Sequence, residues 1–499
     1  VDGVSAVSRL SHQGMTITRR PASLTPRVAY KLCGLLPSDT LGLFNGNVDT
    51  LACALLERMY YCKVEGQFVA PPPVQRQVVR DRLNGLRQEI IRKVGIFAPV
   101  EVDEFVNMYK GPKRRTYEMA AESILLKPVD VHDAKAKAFV KREKCNVTKA
   151  PRVIQPRDPR YGVALGRYIK PVEKVIYRAI ASLIDGDMVV SKGLNLDGVG
   201  KLVESKWNKF RNPVAVGLDA TKFDMHCSAE ILEWEHSVYN GIFNSRELRK
   251  LLSWQINNRG VGYAPDGKVK YSVRGRRFSG DMNTSLGNCL IMCCVVIQYC
   301  RSLGIKYDLI NNGDDCVVFM EQESLNAFSL HLEQHFIELG YRIVCEEPVY
   351  VLEHIEFCQM HPVKVNGSYR MVRNPKVAIE KDGFCVTTLQ HQHKFGEWAA
   401  GVANGGKVGC AGVPVMQSFY HFLGGSYESK THLKEDSGMS RLQRGMDGSN
   451  TVVIEETRYS YYLAFGTMPD AQVELEDWFT TNTWNDEVIR DRYPGYLQL

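Results

Sequence analysis

Tyr307-Asp308-Leu309-Ile310-Asn311-Asn312-Gly313-Asp314-Asp315-Cys316-Val317-Val318-Phe319-Met320 consists of two short apolar runs joined through Asn-Gly-Asp. Asn and Gly accept the positive φ that tight hairpin turns demand, so the stretch reads as an antiparallel hairpin. Its tip carries two adjacent carboxylates, Asp314 and Asp315. Adjacent carboxylates repel, and such a pair is inexpensive only where water or a cation neutralises it. A solvated loop meets that condition as well as a metal site does, so the triplet takes its meaning from its neighbours.

Upstream, Val214, Val216 and Leu218 alternate along one face of an expected strand, which leaves Asp219 on the opposite face at the strand end. Ser228 is placed to cap a helix, and a second helix is expected over 284–298. Downstream, Ser324 opens a helix in which Leu325, Phe328, Leu332, Phe336 and Leu339 recur at three- and four-residue spacing, and Gly340 ends it. A strand over 341–345 follows. Strand, helix, helix, hairpin, helix, strand is the order of an α+β fold: an antiparallel sheet backed by helices in the ferredoxin-like or RRM-like manner. Before this unit the pattern is mixed, with a helix over 83–94 and a loop at Pro71-Pro72-Pro73. Beyond about residue 364 the chain turns helical and Gly-interrupted, as a further C-terminal subdomain would. There is no internal repeat and no low-complexity tract.

Three constellations surround the hairpin. Asp219 and Asp224 flank Ala-Thr-Lys-Phe, one at a strand end and the other five residues on. If Asp219 meets the hairpin tip on a neighbouring strand, the carboxylates suit Mg²⁺, which favours a few carboxylates together with substrate phosphates. In Ser279-Gly280-Asp281-Met282-Asn283-Thr284-Ser285-Leu286-Gly287-Asn288, Thr284 and Asn288 share one helix face. A hydroxyl and an amide side by side can recognise a sugar hydroxyl. Between Lys141 and Arg157 the chain alternates basic residues with a Pro-stiffened backbone, including Lys149 and Arg152, as an arm that holds a triphosphate would.

Composition agrees with a polyanion partner. The 499 residues carry 63 Lys and Arg against 56 Asp and Glu, and the segment 110–174 alone holds 17 basic against 7 acidic residues. At 44% hydrophobic the chain can bury a large core, divided by its length into two or three subdomains. Fourteen cysteines without a Cys-x-x-Cys pair, several inside apolar runs such as 289–294, read as reduced core residues. His391 and His393 lack partners at zinc-ligand spacing, so no zinc is expected. The longest uninterrupted apolar run, 290–297, is too short to span a bilayer. A chain starting at Val1 is expected to be the C-terminal part of a longer readthrough or frameshift product, with any membrane anchor upstream or on a partner.

The ordered set Asp-x4-Asp, Ser-Gly-x3-Thr-x3-Asn and Gly-Asp-Asp, preceded by the basic arm, resembles the RNA-dependent RNA polymerases of positive-strand RNA viruses. Phe139-Val140-Lys141-Arg142-Glu143-Lys144, Val153-Ile154-Gln155-Pro156-Arg157, Ile355-Glu356-Phe357-Cys358-Gln359 and Gly412-Val413-Pro414-Val415 resemble the plant tombusvirus-like (Tombusviridae) group. The likeness runs over about 111–420. It implies a right-hand polymerase: fingers with an N-terminal extension and basic arm over 1–203, a palm over 204–360 with a fingers insertion at about 234–278, and a thumb over 361–499.

By that resemblance Asp219, Asp314 and Asp315 are catalytic metal ligands, Asp315 the weaker, for two Mg²⁺ ions with Mn²⁺ as a substitute. Asp224 and Asn288 sense the ribose 2′-hydroxyl with Thr284 in support. Ser279 and Gly280 give the backbone room to move at the nucleotide, Lys141, Lys149 and Arg152 hold the triphosphate, and Cys358 lies beside the primer strand. Where relatives often place a Lys as proton donor to pyrophosphate, this chain has Arg342, a poor general acid. Implied partners are template and product RNA, ribonucleoside triphosphates, other viral replication proteins and host factors, in a membrane-associated complex of the host cytoplasm. The alternatives are a reverse transcriptase, against which the polar Asp224 and Asn288 argue, and a non-catalytic RNA-binding scaffold, against which the full carboxylate set argues.

Overall fold

A computed structural model describes residues 10–32, 35, 40–389, 394–428 and 439–484; His391 and His393 lie outside these. The expected hairpin forms between the strands Tyr307–Asn312 and Asp315–Glu321, in antiparallel register from Tyr307↔Met320 to Asn312↔Asp315. Only Gly313 and Asp314 are left to turn the chain, and Gly313 takes φ +70°, where a two-residue hairpin loop favours glycine. The strand Pro213–Ala220 pairs antiparallel with Asp315–Glu321 on one side and with Ile343–Cys345 on the other. In chain order the four strands stand 2-3-1-4 across the sheet, the arrangement of a split βαβ unit.

Alternation settles what each sheet face meets. Val214, Val216 and Leu218, with Cys316, Val318 and Met320, enter a core built with the helices Pro159–Ala181, Ala229–Phe243 and Thr284–Leu303. Ala215, Val317 and Phe319 face the other way, onto Leu196, Val203 and Met360. Ser228 caps Ala229–Phe243 by accepting the Ile231 N–H at 3.2 Å. By length and composition Thr284–Leu303 could cross a membrane, but 78% of its most apolar stretch is buried against the chain's own core. The apolar run at 290–297 is thus the middle of a core helix.

Several elements differ from expectation: the strand foreseen over 341–345 is Ile343–Cys345, and the helix foreseen over 284–298 runs on to Leu303. The helix foreseen at 83–94 begins earlier and runs Arg76–Val94. The helix foreseen from Ser324 to Leu339 is two, Leu325–Leu330 and Leu332–Glu338, broken at His331, and Ser324 makes no side-chain cap. At the break the Tyr299 hydroxyl donates at 2.6 Å to the Phe328 carbonyl, the group that the Leu332 N–H would bond in a continuous helix. Phe328, Leu332, Phe336 and Leu339 are still fully buried, so the break preserves the apolar stripe the spacing encodes.

A second, five-stranded sheet runs Met15–Arg19, Gly267–Arg274, Asn257–Ala264, Ala136–Val140, Val153–Ile154. It joins the hairpin over 257–274 to strands from the first third of the chain. The two-residue strands Tyr30–Lys31 and Phe384–Cys385 also pair, tying the N-terminal region to the C-terminal helices. All thirteen cysteines among the described residues are free thiols, and nine are buried.

Candidate active site

The carboxylates meet through the sheet register. The last pair between the two central strands is Cys316↔Leu218, and one residue further along stand Asp315 and Asp219, both on the face of Ala215 and Val317. Asp314 occupies the turn beside them. All three line a pocket of about 210 Å³ together with Glu346, Glu356 and Cys358. The Cys358 N–H donates to Asp315 at 2.9 Å from a turn in which Cys358 and Gln359 take φ +52° and +61°. One oxygen of Asp315 is therefore engaged by the backbone. Gly217 lies under Glu346, where a Cβ would stand 1.9 Å from a carboxylate oxygen.

The pocket concentrates negative charge. Burial, then repulsion from Asp314 and Glu346, pushes the Asp315 carboxyl up to about 6. Burial and the Asp219 charge raise Asp314, and burial with Glu356 and Asp219 raises Glu346. Several hard oxygen donors that disfavour one another's ionisation fit a divalent cation, which would relieve the repulsion. Among the described residues no three His, Cys, Asp or Glu side chains already converge as a closed ligand set. The donor chemistry suits a site completed by substrate phosphates rather than an all-protein cage.

Around the turn, a second pocket of about 210 Å³ is lined by Asp314, Asp224, Asn288, Ser279 and Arg152. The expected sugar-recognition pair touches directly, the Asn288 amide donating to Asp224 at 2.9 Å. Burial pushes the Asp224 carboxyl up to about 6 against the pull of Asn288 and Arg277. The Ser279 hydroxyl donates to the Val153 carbonyl at 3.1 Å, and a Cβ on Gly280 would lie 2.8 Å from the Gln155 carbonyl, so this loop rests on the basic arm. Thr284 donates to the Phe278 carbonyl at 2.7 Å and lines a third cavity, of about 530 Å³, with Lys113, Lys170, Lys192 and Tyr109. Lys192 reaches the Asn312 side chain at 2.6 Å, one residue from Gly313.

The basic arm is only partly assembled at this site. Arg152 lines the pocket of Asp224 and Asn288; Lys141 and Lys149 line none of the three. Lys141 is held by Glu143 at 2.6 Å, and Glu143 also reaches Arg152 at 3.4 Å. Lys149 is exposed beside a turn, its N–H donating to the Asn146 carbonyl. In their place the fold brings Arg58 and Lys222 to the pocket. No catalytic constellation is legible in the sequence up to about residue 150, yet Arg58 sits in the π-helical turn Leu56–Tyr60, donates to the Ala150 carbonyl at 3.1 Å and keeps a buried Nε without a partner. Lys222 lies within the Ala-Thr-Lys-Phe that Asp219 and Asp224 flank and takes a φ of +47°. Arg342 also keeps a buried Nε without a partner, while its carbonyl accepts the Thr221 N–H at 2.9 Å.

Residues 15–486 match the family model described as viral RNA dependent RNA polymerase. The chain belongs to this family. It is 40% identical over 474 residues to the RNA-directed RNA polymerase of Turnip crinkle virus, covering 92% of this chain and 60% of that protein. It is likewise 40% identical over 487 residues to that of Maize chlorotic mottle virus, covering 95% and 50%, and 37% identical over 473 residues to that of Tomato bushy stunt virus, covering 94% and 58%. The chain thus spans about half to three fifths of the length of these relatives. The resemblance seen in the motifs extends over nearly the whole polymerase-family chain, including the first hundred residues that carry Arg58.

Proposed function

We propose that this chain is the catalytic part of an RNA-directed RNA polymerase that replicates a positive-strand RNA genome. The reaction is attack of an RNA 3′-hydroxyl on the α-phosphate of a template-paired ribonucleoside triphosphate, with release of pyrophosphate. The observation that carries this reading is the meeting of Asp219, Asp314 and Asp315 at one sheet end, with Asp314 shared between the carboxylate pocket and the pocket of Asp224, Asn288 and Arg152. Asp219 and Asp314 would hold two Mg²⁺ ions, with Asp315, fastened to the 358 turn, in the lesser part. When bound, the ions supply a lowered hydroxyl pKa and neutralisation of the leaving phosphates. Arg152, Arg58 and Lys222 bind the triphosphate, Asp224 and Asn288 orient the ribose, and Cys358 lies at the primer end.

The same reading implies a right-hand division. The four-stranded sheet serves as palm, the five-stranded sheet with its 257–274 hairpin as fingers, and the helices after residue 374 as thumb. Lys113, Lys170 and Lys192 line the large cavity together with Asp281 and Asp314, and the lysines would meet template phosphates there. Association with further replication proteins and host factors at a cytoplasmic membrane belongs to this proposal through the resemblance.

A template-directed extension assay with Mg²⁺ and NTPs tests the function. Template-dependent RNA synthesis is expected, with dNTPs poorly used; equal use of dNTPs would favour a reverse transcriptase instead, and RNA binding without synthesis a scaffold. For the anion site, R152A and R58A are each expected to raise the KM for NTP about tenfold, the scale of one lost charge-assisted hydrogen bond. Weaker RNA binding with unaltered NTP dependence would reject that assignment.

A further inference from the structure

Behind Asn288 lies a buried ion pair that the proposed chemistry does not use. Arg277 and Glu235 are 1% and 0% exposed and bonded to each other. The Arg277 Nε donates to the Asn288 Oδ1 at 3.0 Å, and the Arg277 backbone N–H donates to the Asp224 carbonyl at 2.8 Å. Glu235 is held in turn by the Tyr239 hydroxyl at 2.7 Å and the Asn283 amide at 3.0 Å. A guanidinium can only donate, so it admits only the oxygen of the Asn288 amide on its side. The amide nitrogen must then face Asp224, as it does. An ionised Asp224 can only accept and asks for the same orientation, so Arg277 and Asp224 hold the amide from its two ends.

Gly287 supplies independent support. A glycine inside a helix costs about 1 kcal/mol relative to alanine, and Gly287 lies within Thr284–Leu303. A Cβ there would stand 2.2 Å from the Glu235 Oε1 and 2.3 Å from the Arg277 Nη2. The helix gives up side-chain bulk at the residue before Asn288, and the ion pair fills that space. One Arg277 nitrogen, Nη1, is buried with no partner, and Arg277 itself lines the Asp224 pocket.

We infer that the Arg277–Glu235 pair is a specificity-positioning device: it fixes the Asn288 amide with its nitrogen toward Asp224, and so sets the discrimination between ribose and 2′-deoxyribose. The inference rests on the proposed ribose-sensing role of Asp224 and Asn288. Arg277 acts through Asn288 and needs no contact with substrate. The charge is removed from both partners together, because an unpaired buried ion would destabilise the fold.

The test compares E235Q/R277M, G287A and N288A with the parent chain. It measures kcat/KM for an NTP and the matching dNTP on one template, with thermal melting alongside. In E235Q/R277M and G287A, kcat/KM for NTP is expected to fall at least about tenfold more than for dNTP, the scale of a hydrogen bond to a charged group. Alanine favours the helix more than glycine does, so lost discrimination in G287A cannot be ascribed to weaker helix propensity. Parallel falls for NTP and dNTP in E235Q/R277M and G287A, with discrimination lost in N288A, overturn the inference and leave the ribose reading standing. Discrimination retained in all three overturns both.

Discussion

Replacing Asp314 by Asn is expected to abolish nucleotide addition, lowering the rate at least about a thousandfold, the scale seen when a member of a catalytic unit is removed. RNA affinity, measured on the same preparation, should stay nearly unchanged. Asp314 is the carboxylate that lines all three cavities around the turn: the acidic pocket, the pocket of Asp224 and Arg152, and the lysine-lined cavity. Asparagine keeps its size in a two-residue turn that tolerates either residue, so a folding defect is not expected. What it removes is the charge. Unchanged synthesis by D314N would sink the two-metal reading. The matching change D315N should cost less, because one Asp315 oxygen is already committed to the Cys358 N–H.

The largest stability effect is expected at the far end of the same hairpin, in the strand Tyr307–Asn312. Asp308 is 1% exposed and accepts Lys206 at 2.8 Å, Lys209 at 2.6 Å and its neighbour's N–H, that of Leu309, at 2.7 Å. Lys206 is completely buried; burial lowers its pKa, opposed chiefly by Asp308. D308A would strand the Lys206 ammonium in the core and should destabilise the chain by about 3–5 kcal/mol, read by denaturant titration. The pairwise replacement K206M/D308L should recover most of that loss, since an apolar pair of similar volume needs no counter-charge. A loss below about 1 kcal/mol in D308A would show that Lys206 finds water or another partner.

Where chemistry depends on short-range geometry, the amino-acid order was legible. Period-two alternation placed Asp219 on the face opposite Val214, Val216 and Leu218, and Asn-Gly-Asp announced the turn that lifts Asp314 out of the sheet. The i, i+4 spacing of Thr284 and Asn288 set both on one helix, although their partners diverge: Thr284 bonds the Phe278 carbonyl and Asn288 bonds Asp224. The apolar spacing from Leu325 to Leu339 was read correctly as a buried stripe and incorrectly as one helix. At the interruption the Phe328 carbonyl accepts a hydrogen bond from Tyr299, a residue outside the stripe. Lys141 and Lys149 follow from the basic, Pro-stiffened arm and from the resemblance. Charge does not specify direction: Lys141 is paired with Glu143, while Arg58, from a segment without any recognisable motif, reaches the pocket.

By itself the sequence determined the sheet faces, the hairpin and the polymerase family, because these follow from backbone preferences and from motifs whose residues act within a few positions of one another. The tertiary structure alone decided which cations reach the pocket of Asp224 and Asn288, that the carboxylates share one concave space, and that Arg277 and Glu235 stand behind Asn288. Those relations join residues far apart in the chain. They depend on strand register and helix packing, where a shift of one residue would turn a side chain to the other face.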